Sequence, residues 1–270
     1  MNFGMSLKWS DNWHLKLFNM SVLKQEKFRQ INRLLGDVNG KRCLDIGADN
    51  GIISFLLRSK GGEWHSADID SRTVDSIRQL VGSNVFQIMN GHIPYHDHSF
   101  DLVLIVDLLE HITKDREFLF ELKRVMKTNG EIIINVPHVK LFSLLNRFRN
   151  AIGLTDEKHG HVRPGYTLSG LKNILGPDFN VLRHSTYSKT FSELADTCLN
   201  ILYQLVRKPN KDQPESKKGT VITISDYDKY RKQFLLLSFL YPLIWLFTRL
   251  DLLLFFQSGY KLIIKATVAK

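Results

Sequence analysis

Apolar residues recur along this chain with two periods, and the switches between them mark out its elements. Leu23, Phe28, Ile31, Leu34 and Leu35 fall at helical spacing with lysines and arginines between them, which predicts an amphipathic helix ending at Gly36. A β-leaning run (Cys43, Leu44, Ile46) stops at Gly47. A second glycine stands at Gly51, and residues 52–57 open a helix. Glu63 to Asp68 reads as a second strand, with Asp70 placed to N-cap the helix that follows. Asn84 to Met89 alternates like a short strand. Leu102 to Val106 is an unbroken apolar run, as expected of a parallel strand covered on both faces. A helix from Asp115 carries Phe118, Leu119, Leu122 and Val125 on one side and closes at Lys123 to Lys127. A strand over 130–137 follows it. Strands alternating with helices predict an α/β fold around a parallel sheet.

Beyond Pro137 the pattern changes. An apolar helix is expected over 141–148, another over 167–175, a strand over 179–184 and an apolar helix over 191–206. Arg207 to Gly219 is polar and proline-containing. Phe234 to Phe247 is strongly hydrophobic and Asp251 to Phe256 continues it, before a last strand over 260–268. The uncharged run is shorter than the ~20 residues a spanning helix needs. A single crossing would also leave the last strand on the wrong side of the membrane. An in-plane element bent at Pro242, flanked by Lys229, Arg231 and Lys232, suits an anionic membrane surface. The same residues also suit a helical subdomain packed on the sheet, on itself or on a second subunit.

Composition narrows the picture only a little. The 270 residues are 43% apolar and 24% charged, ordinary globular material for one domain with an elaboration. Cys43 and Cys198 make no disulfide framework and are expected to be buried thiols in a reducing cytoplasm. Met1 to Met20 is interrupted by Asp11 and His14, so no signal peptide is expected. The formal net charge of +10 favours acidic partners: nucleic acid, anionic lipid or a phosphorylated substrate.

The chemistry concentrates at the glycine turn. Strand, tight glycine turn and helix let a backbone approach a nucleotide-like ligand closely. Asp45, two residues before Gly47, would repel a pyrophosphate and suit an ammonium group, so an adenosine with a cationic amino-acid tail fits better than NAD. Asp68 closes the second strand at roughly the 20-residue distance where a carboxylate accepts from ribose hydroxyls. Two acids opening a helix also favour its dipole without any ligand.

These residues resemble motif I of class I S-adenosylmethionine-dependent methyltransferases, D-x-G-x-G-x-G. Asp45, Gly47 and Gly51 match, while Asp49 replaces the middle glycine and makes the loop stiffer and more acidic. The stretch from Ser99 to Ile112 (SFDLVLIVDLLEHI) resembles the motif IV region of a group that includes ubiquinone-pathway O-methyltransferases, and the layout from Arg124 to Pro137 is similar to that family's. The resemblance runs from about Leu34 to Pro137. It implies a Rossmann-like seven-stranded sheet with helices on both faces and an antiparallel last strand, interrupted here by a hydrophobic helical insertion. The domains then read as an N-terminal cap (1–38), a cofactor-binding core (39–184), the insertion (185–258) and the last core strand (259–270). S-adenosylmethionine is the implied cofactor, held by Asp45, Gly47, Ala48, Asp49 and Gly51 at the turn and by Asp68 and Ile69 at the ribose. Asn90, Gly91 and His92 supply the adenine contact, and Asp107 and Leu108 close the site. Ile93-Pro94-Tyr95 stands where relatives carry a Leu-Pro-Phe-like triplet.

A hydroxyl acceptor calls for a general base, and His111 is the first candidate, with His161 second. A histidine at a helix start also serves simply as a cap or packing residue. Asp107, Glu110 and His111 stand at i, i+3 and i+4, so on a helix they share a face and can converge on a divalent ion. Metal-free relatives with Leu-Glu-His are plentiful, and no metal is expected. The expected function is O-methylation of a small-molecule, glycan or lipid-linked acceptor, in the cytoplasm or on the inner face of the membrane. One alternative is an RNA (tRNA-type) methyltransferase, which the charge favours but which lacks a basic stripe interleaved with aromatics. Another is a non-catalytic binding protein that kept the fold, which Asp49 leaves open.

Overall fold

The structure, a computed structural model, describes residues 13–47, 50–140, 143–151, 160–206 and 231–269. Its strands are β1 (Arg42–Ile46), β2 (Glu63–Asp68), β3 (Val85–Gln87), β4 (Phe100–Val106), β5 (Met126–Pro137), β6 (Phe179–Tyr187) and β7 (Lys261–Val268). They form one seven-stranded sheet in the order β3-β2-β1-β4-β5-β7-β6. β1 to β5 run parallel, and β7 enters antiparallel between β5 and β6. This is the Rossmann-like methyltransferase sheet that the resemblance implies.

Successive strand residues point to opposite faces, so a strand buried on both sides must be apolar throughout. Leu102, Leu104 and Val106 of β4 pack on one face with Ile31 and Leu35 of α2 (Val22–Leu35) and with Ile52, Ile53 and Leu57 of α3 (Ile52–Arg58). Val103 and Ile105 pack on the other with Phe118 and Leu122 of α5 (Asp115–Val125) and Leu171 of α7 (Leu168–Leu175). The remaining helices are α1 (Trp13–Asn19), α4 (Ser71–Val81), α6 (Leu144–Ala151), α8 (Thr190–Val206) and α9 (Arg231–Arg249). Asp70 caps α4 as expected, its Oδ2 accepting from the Thr73 N–H at 3.2 Å.

Several boundaries differ from the sequence expectation. β3 stops at Gln87, because Asn90 turns the chain with φ 53° and Met89 bridges to His92. α5 ends at Val125, because Met126 is drawn into β5 opposite Phe100, with the register shifting before Leu102. α1 has no counterpart in the expected elements. Cys198, expected to be buried, is exposed on α8, whereas Cys43 is buried in β1.

α9 runs through Pro242 without ending, although the ring removes the N–H that would reach back to the Ser238 carbonyl. Among the described residues, Leu235–Leu254 is the one helical stretch long and apolar enough to cross a membrane. It lies along the domain. Tyr241 accepts a hydrogen bond from Gln25 Nε2 on α2 at 2.9 Å, and Phe191 of α8 meets Phe247 edge-on at 5.2 Å. Asp251, in the 3-10 turn after α9, accepts from the backbone N–H groups of Lys189 and Phe191 at 2.7 and 2.8 Å, closing the start of α8. The outer face of α9 and the turn beyond it stays apolar and exposed, with Phe239 at 79%, Leu246 at 61% and Phe255 at 84% of their surface open.

Candidate active site

The glycine turn is set by packing as much as by any ligand. A Cβ on Gly47 would sit 2.2 Å from the Val106 carbonyl oxygen, and one on Gly51 would sit 2.9 Å from Ile77 Cα. Both residues adopt the left-handed conformation, φ 86° and 85°, so glycine is required on two counts. Ala48 and Asp49 lie outside the described residues. The Asp45 carboxylate turns inward. Its oxygens accept from the Ser54 hydroxyl at 2.5 Å and the Ser66 hydroxyl at 2.8 Å, with Arg58 at 3.9 Å. Burial raises its pKa, while Arg58 and both hydroxyls pull it back down. Its place in the structure is as an anchor of β1 to α3 and β2.

Asp68 ends β2 fully buried, and its Oδ1 accepts from the Asp70 N–H at 3.0 Å. Ile69 is half-buried against the core, and its carbonyl accepts from Gln87. Asn90 and Gly91 are exposed at the turn after β3. His92 faces outward, with Nδ1 3.0 Å from Glu121 and its side chain 68% exposed. Ile93 is buried, its N–H donating to the Glu121 carboxylate at 2.8 Å, so this end of the turn is fastened to α5.

At the end of β4 the chain leaves the helical pattern that would have aligned Asp107, Glu110 and His111. Asp107 takes φ 43°, and only Leu109–His111 forms a 3-10 turn. Asp107 therefore parts from the other two. Its carboxylate pairs with Lys27 of α2, accepts from Asn135 Nδ2 at 3.1 Å and lies 3.6 Å from Lys261. Burial opposes its ionisation, but Lys261 and Lys27 outweigh that and hold its carboxyl below the usual range. Tyr187 completes the chain of contacts by donating to Asn135 Oδ1 at 2.5 Å. Leu108 is fully buried.

His161 takes the place left by Asp107. Its ring meets that of His111 edge-on, 4.8 Å between centroids, and Glu110, His111 and His161 hold ligand-type atoms within 4.8 Å of one another. His111 Nδ1 lies 3.0 Å from the Gly160 carbonyl and donates to it, which leaves Nε2 as the basic nitrogen. Glu110 is buried with Oε2 lacking a hydrogen-bond partner, and burial together with the charge of Asp107 pushes its carboxyl up to about 8. The nearby Arg163 is structural. It pairs with Asp115 and donates to the carbonyls of Ile112 and Thr113 at 2.9 and 3.0 Å, holding the loop that carries His161.

Between α2, α6, α8 and the ends of β5, β6 and β7 lies a chamber of about 480 Å³, lined among others by Lys24, Lys140, Arg149, His161, Ser188 and Glu193. That volume suits a small-molecule site. Glu193 is 4% exposed; Arg149 donates to its Oε2 at 3.3 Å, and its Oε1 has no hydrogen-bond partner. Burial, opposed by Lys261 and Arg149, brings its carboxyl to about 7. The Ser188 hydroxyl is likewise buried and unpartnered, on a residue with φ 53°. Sequence reasoning passed over these residues. The available signal was a pair of acids, Glu193 and Asp196, one turn apart inside an apolar helical pattern. Lys27 and Lys261 gave no signal, since only the fold brings them to Asp107.

Residues 44–134 match a family described as "Methyltransferase domain". Over those residues, and with this sheet and turn, the chain is similar to the class I S-adenosylmethionine-dependent methyltransferases, and S-adenosylmethionine is the cofactor that this similarity supports. The curated relatives include the demethylmenaquinone methyltransferase of Tropheryma whipplei (strain Twist), 28% identical over 119 residues that make up 43% of this chain and 50% of that protein. The mitochondrial ubiquinone biosynthesis O-methyltransferase of Schizosaccharomyces pombe is 28% identical over 119 residues, 41% of each chain. The chain spans about half the length of the curated relatives it matches, or less. Among solved structures, the [4+2]-cyclase SpnF superposes with a TM-score of 0.55 at 15% identity, covering 91% of this chain and 80% of that one. A SAM-dependent methyltransferase from Archaeoglobus fulgidus gives 0.50 at 18% identity, covering 90% and 93%. At such identities the structures speak for the fold alone. The residues present suit the cofactor: Gly47 leaves the turn after β1 without a side chain, and the Asp68 carboxylate closes β2 beside it.

Proposed function

We propose that the protein methylates a hydroxyl of a small amphiphilic acceptor, quinone-like or otherwise lipid-linked, while resting on the inner face of an anionic membrane. The observation that carries this reading is α9. A helix that packs one side on its own domain normally turns polar on the other, and the outer side of this one stays apolar. Its inner side meets α2 and α8, whose other residues line the acceptor chamber, so acceptor and bilayer lie on either side of the same helices. The names of the quinone-pathway relatives point to acceptors of the same kind.

When bound, the cofactor supplies an activated methyl on its sulfonium, so the protein has only to align a nucleophile and exclude water. His161, in the chamber wall, takes the acceptor's hydroxyl proton, and His111 stands against it edge-on to fix its ring. The network of Asp107 with Lys27, Lys261 and Asn135 ties α2 and β7 to the end of β4 and keeps that end of the sheet closed.

The test is to incubate the full chain with methyl-labelled S-adenosylmethionine and an extract of its source cells, then partition the products. Label is expected in the organic phase, and the double change Phe239→Ser and Leu246→Ser is expected to reduce it. Label confined to nuclease-sensitive aqueous material would replace this reading with RNA methylation.

A further inference from the structure

We propose that the acceptor chamber recognises an oxyanion, a phosphate or diphosphate group carried by the methyl acceptor, through Lys24, Lys140, Arg149, Ser188 and Glu193. The inference rests on the methyl-transfer reading above and names the polar end of its substrate. Of the cations that line the chamber, Lys27 and Lys261 are taken up by Asp107, while Lys24 of α2, Lys140 of the chain after β5 and Arg149 of α6 reach it from three other places. Lys140 is the most telling. Its ammonium donates to the Ser258 carbonyl at 2.9 Å and lies 4.1 Å from the centre of the Tyr260 ring, an arrangement that fixes the group without neutralising it.

The second observation is independent of charge. Buried polar atoms in folded proteins are nearly always hydrogen-bonded, and exceptions gathered in one place mark a ligand site. Ser188 Oγ and Glu193 Oε1 are both such exceptions, and both residues line this chamber. A hydroxyl donates to an oxyanion. A carboxyl titrating near neutrality, with Arg149 already on its other oxygen, also donates in its protonated form.

The third observation bears on what the oxyanion is attached to. α8 carries Glu193 toward the chamber, while its Leu194, Cys198, Leu199 and Leu202 line an apolar groove of about 500 Å³ shared with Leu243 and Phe247 of α9. A phosphate headgroup on one side of α8 and an acyl or prenyl chain on the other match the two surfaces of this helix.

Calorimetric titration of the full chain, preloaded with S-adenosylhomocysteine, with inorganic pyrophosphate tests the proposal. Saturable binding is expected, weakened about ten- to a hundredfold by Lys140→Gln, the loss of one hydrogen bond to a charged group. Arg149→Gln should act likewise, and Lys140→Gln serves where removing the partner of buried Glu193 impairs folding. Lys172→Gln, on α7 away from the chamber, should leave binding unchanged. Absence of saturable binding, or an equal loss in the Lys172 variant, overturns the proposal. Competition by dicetyl phosphate in phosphatidylcholine vesicles, against phosphatidylcholine vesicles alone, assigns the oxyanion to a lipid; pyrophosphate binding without such competition assigns it to a soluble acceptor. Both outcomes uphold the site. The preloading step reports cofactor binding separately, so a failure of the methyltransferase reading is seen before any pyrophosphate is added.

Discussion

On the β1–β2 side of the sheet, Asp45 is closed in by Ser54, Ser66 and Arg58, and each glycine of the turn is fitted against a neighbouring backbone. On the β6–β7 side, Ser188 and Glu193 keep buried polar atoms without hydrogen-bond partners, and α9 keeps an apolar face without a cover. The first side is finished as it stands. The second leaves polar atoms and an apolar face open. On the function proposed above, the cofactor meets the first side and the acceptor the second. The contrast separates residues that hold the fold from residues that await a ligand, and it can be tested at three points.

The largest expected effect is at the histidine pair. His161→Ala is expected to lower the methyl-transfer rate by about 10²- to 10⁴-fold, the usual worth of a general base, with S-adenosylhomocysteine affinity unchanged. His111→Ala, which removes a neighbour of that base, should cost less. A larger loss at His111, measured in single turnovers, would move the proton transfer to the 3-10 turn and reverse the assignment. On the cofactor side, Asp68→Ala should weaken S-adenosylhomocysteine binding about ten- to a hundredfold, by loss of hydrogen bonds to a carboxylate. Calorimetry checks this, and an unchanged affinity would mean that Asp68 serves only the turn into α4.

The smallest effect concerns Glu110. Its carboxyl is raised from 4.5 to about 8 in the folded chain. Between those values the unfolded chain has lost this proton and the folded chain keeps it, so stability falls as pH rises through the window. Glu193 contributes in the same direction up to about 7. Asp107, held below the usual range, acts oppositely, its contribution being lost only in acid. Glu110→Gln should therefore flatten the decline of Tm between about pH 5 and 8, at about 2–4 °C for each kcal/mol recovered. An unchanged slope would show that burial of Glu110 is relieved in solution.

How much the sequence revealed follows the same division. The β1 turn, the acid closing β2 and the β4 run are contiguous, and each is read from neighbours within a few residues. The ion pairs of Asp107 are not contiguous. Lys27 stands 80 residues before it, and Lys261 reaches it only because β7 inserts between β5 and β6. The helical spacing of Asp107, Glu110 and His111 misled for a local reason: one left-handed residue at Asp107 breaks the periodicity that would have aligned them. His161 replaces it across a loop whose position is set by Arg163 and Asp115, contacts that spacing alone does not reveal.

The hydrophobic insertion leaves and rejoins the sheet at one spot. The Tyr260 N–H donates to the Ser188 carbonyl at 2.8 Å, and the Gly259 N–H donates to the Thr186 hydroxyl at 2.9 Å. Gly259 must stay glycine, since a Cβ there would lie 2.0 Å from the Tyr187 carbonyl oxygen. The described residues between 189 and 258 thus leave and return through one hydrogen-bonded neck, and they are also held to the domain by Tyr241 on Gln25 and by Arg149 on Glu193. The closure of the last two strands is therefore local, carried by the few residues on either side of the insertion: Thr186 and Ser188 before it, Gly259 and Tyr260 after it.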